Sequence, residues 1–271
     1  MDWEKARNYT IIFLLILNII LFGINVHRSK ESTVTAQRAD TVSEYCKRNN
    51  ISVECDLPEK YEPMKRVVQK DFSFDLLGME RLFFTNLTGI SRTDVKNTVL
   101  LTNGLATLKV DGQHITYEDK NFAKTSDKQE ALSVANRYVK AIMQSFGGFT
   151  LESINETENG REILFFDRIN GYPVFGSYVK FLFRNEGGIC IDISYYPVTQ
   201  GGDEVDPVIA SDEALYAAVA KIRQKYPEGC RVDSVTQGYF YQNATSEVIA
   251  GYRIGVQGEG FYVNAVTGEA Y

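Results

Sequence analysis

The chain has 271 residues, 44% hydrophobic and 24% charged, which is ordinary for a folded protein and too apolar for intrinsic disorder. Its formal net charge of −6 is unevenly spread. Lys5, Arg7, Arg28 and Lys30 outweigh Asp2 and Glu4 near the start, whereas residues 31–271 hold 25 basic and 33 acidic side chains. An acidic body argues against nucleic acid as a ligand, because neutralising phosphate takes clustered Lys and Arg, and against docking flat on anionic lipid.

From Asn8 to Val26 no residue is charged, a run of 19 dominated by Ile, Leu and Phe. At roughly 1.5 Å per residue such a helix reaches about 28 Å, close to a hydrocarbon core. Arg7 precedes it, His27 and Arg28 follow, and Trp3 and Tyr9 are placed as interfacial aromatics. A cleaved signal peptide would have a shorter apolar core and a small-x-small site directly after it; Val34-Thr35-Ala36 comes too late. The expectation is a cytoplasmic tail (1–8), one transmembrane helix in the bilayer (9–26) and a polar stalk (27–37). Flanking charge does not settle orientation, but a long C-terminal domain translocates behind an N-terminal start signal largely regardless of its charge, which favours a cytoplasmic N-terminus and an extracytoplasmic domain. Within the span Asn18 and Gly23 are the candidate helix–helix contacts, an amide seeking a partner in lipid and a small residue allowing close approach.

After the stalk, Val42, Tyr45 and Cys46 at i, i+3 and i+4 predict a short amphipathic helix ending near Asn49-Asn50. Ile51, Val53 and Cys55 alternate as a strand that Pro58 stops. The stretch from there to Asn97 is ambiguous. Strands at Thr98–Thr102, Leu105–Val110 and Gln113–Tyr117 are separated by Asn103-Gly104 and Asp111-Gly112, read as type I′ hairpin turns. Ser126-Asp127-Lys128-Gln129 fits a capping box, opening a helix with Leu132, Ala135, Val139, Ile142, Met143 and Phe146 on its apolar face. Strands follow at Glu162–Phe166, Tyr172–Arg184 and Ile189–Tyr196. A helix opening at Ser211, with Asp212 and Glu213 in its first turn, buries Leu215, Ala218, Val219, Ile222 and Tyr226. Strands near Val232–Tyr241, Val248–Val256 and Phe261–Asn264 end the chain. Helix followed by meander, repeated, predicts an α+β fold rather than a parallel βαβ one, with a membrane-proximal unit (38–122) and a distal unit (123–271).

Catalytic signals are absent from this pattern. His27 flanks the span and His114 stands alone on a strand; there is no G-x-S-x-G, H-E-x-x-H or P-loop. No residue is a candidate for catalysis, cofactor binding or metal ligation. Cys46, Cys55, Cys190 and Cys230 form no C-x-x-C. Cys46 could bridge to Cys55 and Cys190 to Cys230 in an oxidising compartment, or all four are independent thiols. Asn50, Asn86, Asn155 and Asn243 open N-x-[ST] tripeptides, which matter only where the secretory pathway glycosylates.

Met1-Asp2-Trp3 before a basic pair and an Ile/Leu span reaching Asn18 resembles the opening of the YycI (WalI) proteins of low-GC Gram-positive bacteria. Glu44-Tyr45-Cys46-Lys47-Arg48-Asn49-Asn50-Ile51-Ser52-Val53, followed by Leu57-Pro58, resembles the same family's next segment. Ile169-Asn170-Gly171-Tyr172-Pro173-Val174-Phe175-Gly176-Ser177 and the ending Gly260–Glu269 are similar to PepSY-like modules. The resemblance implies PepSY/cystatin-like helix-plus-meander units on an adaptor without catalytic residues. It also implies action with a sister protein, YycH, on the sensor histidine kinase YycG (WalK) of a two-component system controlling cell-wall metabolism. Two other classes compete: a free-standing PepSY-type module that binds or inhibits an extracellular peptidase, and an unrecognised cell-wall hydrolase.

Overall fold

The computed structural model describes residues 13–18, 33–84, 89–143, 148–242 and 247–271. Among these no helix is long and apolar enough to cross a membrane. Of the expected span, residues 13–18 are helical, with Phe13 to Leu17 all exposed. The rest of the span, the tail and Gly23 lie outside the described residues, as do Asn86, Phe146 and Asn243.

The chain is α+β and forms two compact units, each built from separate stretches. The first comprises Met1–Met64, Pro207–Thr236 and Tyr252–Tyr271; the second comprises Lys65–Asp206 and Gln237–Gly251. The contiguous division expected at 122/123 falls within the second unit. The stalk ends earlier than expected too: Thr33 bridges to Lys60, Val34 is buried, and a helix starts at Ala36.

In the first unit, helix α1 (Ala36–Arg48) is capped by Thr35, whose Oγ1 accepts from the Arg38 N–H at 3.4 Å, and ends on Lys47 and Arg48, which suit the negative end of its dipole. A turn through Asn50, at φ 61°, leads into β1 (Ile51–Val53), which runs parallel to the start of a long later strand, Ile51 opposite Cys230. The unit's other long helix, Ser211–Lys225, presents Leu215, Ala218, Val219 and Ile222 to the core as its apolar spacing predicts. The hydroxyl of Tyr226, by contrast, is held by Glu259 at the surface.

The second unit is a sheet with helices against it. Strands β3 (Ser91–Val95), β4 (Thr98–Thr102), β5 (Ala106–Asp111) and β6 (His114–Asp119) form an antiparallel meander, and β6 continues into strands Ile189–Ser194 and Tyr172–Arg184. Gly160–Ile169 pairs with Tyr172–Arg184 and carries Phe149–Thr157 on its other side. In chain order these are α2 (Leu76–Phe83) with β2 (Met64–Gln69) before it, α3 (Lys128–Met143), β7 (Phe149–Thr157), β8 (Gly160–Ile169), β9 (Tyr172–Arg184), β10 (Ile189–Ser194) and β11 (Val198–Asp206). The helix from Ser211 is α4, followed by β12 (Cys230–Gln242), β13 (Glu247–Val256) and β14 (Glu259–Asn264). Alternation in β9 buries Val179, Phe181 and Phe183, which join Ile163, Ile191 and Ile142 of α3 in one core.

Turn chemistry is more varied than expected. Asn170-Gly171 has positive φ at both residues, the type I′ pattern, closing Ile169 on Tyr172. Asp111 pairs with His114, so Gly112, at φ 60°, is the first central residue and the turn follows the II′ pattern instead. Thr102 pairs with Thr107 across a four-residue loop in which the Asn103 side chain accepts from the Leu105 and Ala106 N–H groups. The cap of α3 sits one residue later than read: Asp127 accepts from Gln129 and Glu130, while Glu130 accepts from the Ser126 N–H. Five elements lie in stretches left unassigned by the sequence reading: β2, α2, β3, β7 and β11.

Candidate functional site

A groove of about 530 Å³ runs between α1 and α4 in the first unit, lined chiefly by Arg38, Val42, Tyr45, Arg48, Asp212 and Tyr216. Helical spacing explains the lining. Positions 38, 41, 42, 45 and 48 form one stripe on α1, and 212, 213 and 216 form one on α4.

Charge closes one end of the groove. Arg38 forks onto Asp212, with Nε to Oδ2 and Nη2 to Oδ1 both at 2.8 Å, and Nη2 also reaches Glu213 at 3.0 Å. Asp212 is nearly buried, its side chain 10% exposed, so the planar bidentate guanidinium supplies what water would have supplied. Hydrogen bonding to Asp212 holds the Arg38 pKa above its ordinary value. Both carboxylates lie in the first turn of α4, where the helix dipole also favours them. The α4 N-cap, Ala210, makes no side-chain cap bond, and next to it the Ser211 hydroxyl donates to the Pro58 carbonyl at 2.8 Å. At the groove's other end Tyr45 and Tyr216 lie with ring centroids 4.6 Å apart, and Tyr216 remains 57% exposed. An exposed aromatic beside a fixed charge network is a surface suited to protein contact.

The second unit offers a polar face. Lys109, Asp111, His114, Thr116, Tyr178 and Asp192 line a shallow cavity of about 450 Å³. They come from β5, β6, β9 and β10, with Lys109 opposite Thr116, Asp111 opposite His114 and Thr116 opposite Asp192. His114 Nε2 lies 3.3 Å from the Tyr196 hydroxyl and is exposed, and Tyr178 donates to Asp192 at 3.0 Å. This is the solvated side of the sheet. Among the described residues no group of three or more His, Cys, Asp or Glu is arranged to hold a metal ion.

The sequence-derived candidates are placed as follows. Asn18 Nδ2 donates to the Leu14 carbonyl at 2.9 Å, so part of its hydrogen-bonding need is met within its own helix. All four thiols are free. Burial pushes the Cys46 thiol up to about 11, with a further push from Cys230. Cys190, on β10, belongs to the second unit, whereas Cys230 belongs to the first. Asn155 is exposed on β7, and Asn50 occupies the turn after α1. The α1–α4 groove joins stripes 174 residues apart at Arg38 and Asp212, which no local pattern connects; the Val42–Tyr45 spacing and the acidic first turn of α4 are its sequence signals.

No curated protein matches the chain. Among solved structures, the Bacillus megaterium YpeB C-terminal domain is similar at a TM-score of 0.40 and 12% identity, over 72% of this chain and 92% of that one, a likeness too loose to say anything further. A family model described as YycI protein matches residues 29–266, and with that match over most of its length this chain belongs to the YycI family.

Proposed function

We infer that the chain is a single-pass membrane protein with a cytoplasmic N-terminus, whose extracytoplasmic domain regulates the sensor histidine kinase of a cell-wall two-component system. It acts as an adaptor with a YycH-like sister protein, without catalysing a reaction or binding a cofactor. The observation carrying this reading is the family match over residues 29–266. The uncharged run from Asn8 to Val26 and the acidic domain behind it support the topology. The α1–α4 groove, with exposed Tyr216 beside the Arg38–Asp212 network, supplies the contact surface. Regulation then means that the adaptor binds one kinase state better than another and shifts its population.

The test is co-purification of the tagged full-length chain from membranes. The kinase and the sister protein should appear in the eluate, and Tyr216→Ala should lower kinase recovery by about tenfold, as for a central aromatic contact. An eluate containing neither protein overturns the regulatory reading. Proteinase added to intact protoplasts should digest the domain after Val26; a protected C-terminus reverses the topology.

A further inference from the structure

Strand β3 ends the meander of the second unit. Among the described residues it pairs with β4 alone, and all five of its residues are exposed. Open edges of this kind template strand addition unless something blocks them, such as a proline, a bulge, a cover or a run of like charge. Here the register against β4 is regular over five pairs, from Ser91 opposite Thr102 to Val95 opposite Thr98, and the strand has no proline. Its two charges are opposite in sign.

The outward-facing backbone groups can be identified. The Asn103 N–H donates to the Ala106 carbonyl at 3.2 Å, extending the β4–β5 ladder in which Leu101 faces Leu108. Hydrogen-bonded pairs alternate along an antiparallel ladder, so odd residues of β4 bond to β5 and even residues bond to β3. Within β3, Ser91, Thr93 and Val95 therefore face Thr102, Leu100 and Thr98 in hydrogen-bonded pairs, and the N–H and C=O of Arg92 and Asp94 point away from β4. The side chains of Arg92 and Asp94 share one face of the strand, Nε to Oδ1 at 2.9 Å.

We propose that the β3 edge is a self-association site, at which β3 of a second copy of this chain adds antiparallel about a two-fold axis through Thr93. In this register Arg92 of each copy faces Asp94 of the other, each facing pair exchanges two backbone hydrogen bonds, and Ser91 faces Val95. A shift of one pairing step in either direction sets Arg92 against Arg92, or Asp94 against Asp94 with Arg92 against Lys96. Like charges directly opposite one another are unfavourable, so the sequence selects a single register. The outward backbone groups fall on the same two residues as the complementary charges, and that coincidence carries the assignment.

A five-residue strand pair is a small contact, so the test traps it covalently in the full chain, in membranes or detergent. Thr93 would lie at the two-fold in a non-hydrogen-bonded pair, with Cα atoms about 4.5 Å apart, within disulfide reach. Thr93→Cys should give a disulfide-linked dimer under mild oxidation with diamide, above the background that the native cysteines set in the parent chain. Val95→Cys should not, because its copies would be about 13 Å apart along the ladder. In the Thr93→Cys background, Arg92→Asp alone or Asp94→Arg alone should lower dimer yield by about tenfold, and mixing the two variants should restore it. These positions are exposed, so the variants keep the fold. Absence of the Thr93→Cys dimer, equal cross-linking of Val95→Cys, or failure of the mixed charge variants to recover would each overturn the proposal.

Discussion

The two units are assembled in different ways. In the second unit, β3 to β6 follow one another through loops of two to four residues, and β8, β9 and β10 do the same, so most pairings join neighbours in sequence. The first unit meets across the chain: Arg38 with Asp212, Pro58 with Ser211, Ile51 with Cys230. Local turns can specify the former, whereas the latter depends on side chains finding partners more than a hundred residues away, at the larger loop-closure cost of distant contacts. Damage should therefore take different forms: backbone conformation in the second unit, a long-range polar pair in the first.

The largest effect is expected at Gly160, the first residue of β8. Its φ is 141°, and a Cβ there would stand 2.0 Å from the Phe183 carbonyl oxygen. Gly160→Val forces both a strained backbone and an overlap with β9, and should lower the unfolding free energy by roughly 3 kcal/mol or more, read as a fall in urea midpoint. Gly104→Ala sharpens the point. That glycine also has positive φ, but a Cβ there would meet nothing within 4 Å, so the cost should be about 1 kcal/mol of backbone strain alone. Equal losses at the two sites would show that the close approach of β8 to β9 is not the determinant.

Arg38→Ala is the corresponding cut in the first unit. It leaves Asp212 nearly buried without its fork, and the start of α4 tied only through Ser211 and Pro58. Because Arg38 is itself 35% exposed, the loss lies between those of a surface pair and a buried one, about 1–2 kcal/mol. Arg38→Lys should recover only part of it, since an ammonium cannot bond both carboxylate oxygens in one plane. Full stability in Arg38→Ala would mean that apolar burial on α4 holds this unit unaided.

The same contrast explains what was legible in the sequence. Every expected strand after Gly160 is present, because turns such as Asn170-Gly171 bracket runs whose alternation buries Phe181, Phe183, Ile189 and Ile191. Five elements were not legible, and the three strands wholly within the second unit show why. In β3 all residues are exposed, in β7 only Phe149 is buried, and β11 interrupts its pattern with Gly201-Gly202. Strands with so few buried side chains carry no alternation of apolar and polar residues, so periodicity cannot reveal them. Helix caps divide likewise. The run Ser126-Asp127-Lys128-Gln129 marks α3 locally, one residue from the observed Asp127 cap, whereas α4 begins on an uncapped Ala210 and takes its support from Arg38 and Pro58. The groove was illegible for that reason, and the register of a β3–β3 pair became readable only once the structure fixed which backbone groups face outward.

The smallest expected effect concerns a buried charge inside the otherwise local second unit. Asp167 lies where β8 slips register against β9, just after Phe166. Burial raises its pKa, partly opposed by backbone hydrogen bonds from Arg168 and Gly148, the former at 2.9 Å. A carboxyl with a folded pKa above its unfolded value binds its proton more tightly in the native state. Its stabilising contribution is therefore fully present below the unfolded value, about 3.9, and is lost as pH rises through the folded value. Near neutrality the ionised, desolvated group is a net cost. Asp167→Asn removes the charge but keeps an oxygen to accept the Arg168 N–H, so the variant should be more stable than the parent at about pH 7, by less than about 1 kcal/mol. That advantage should shrink as pH falls through the raised folded pKa, where the parent carboxyl takes up its proton and is neutral as well. Urea unfolding of both chains across this range measures the difference. A variant less stable at neutral pH would mean that the carboxylate's bonds to the two backbone N–H groups outweigh its desolvation, making Asp167 a support for the slipped register rather than a burden on it.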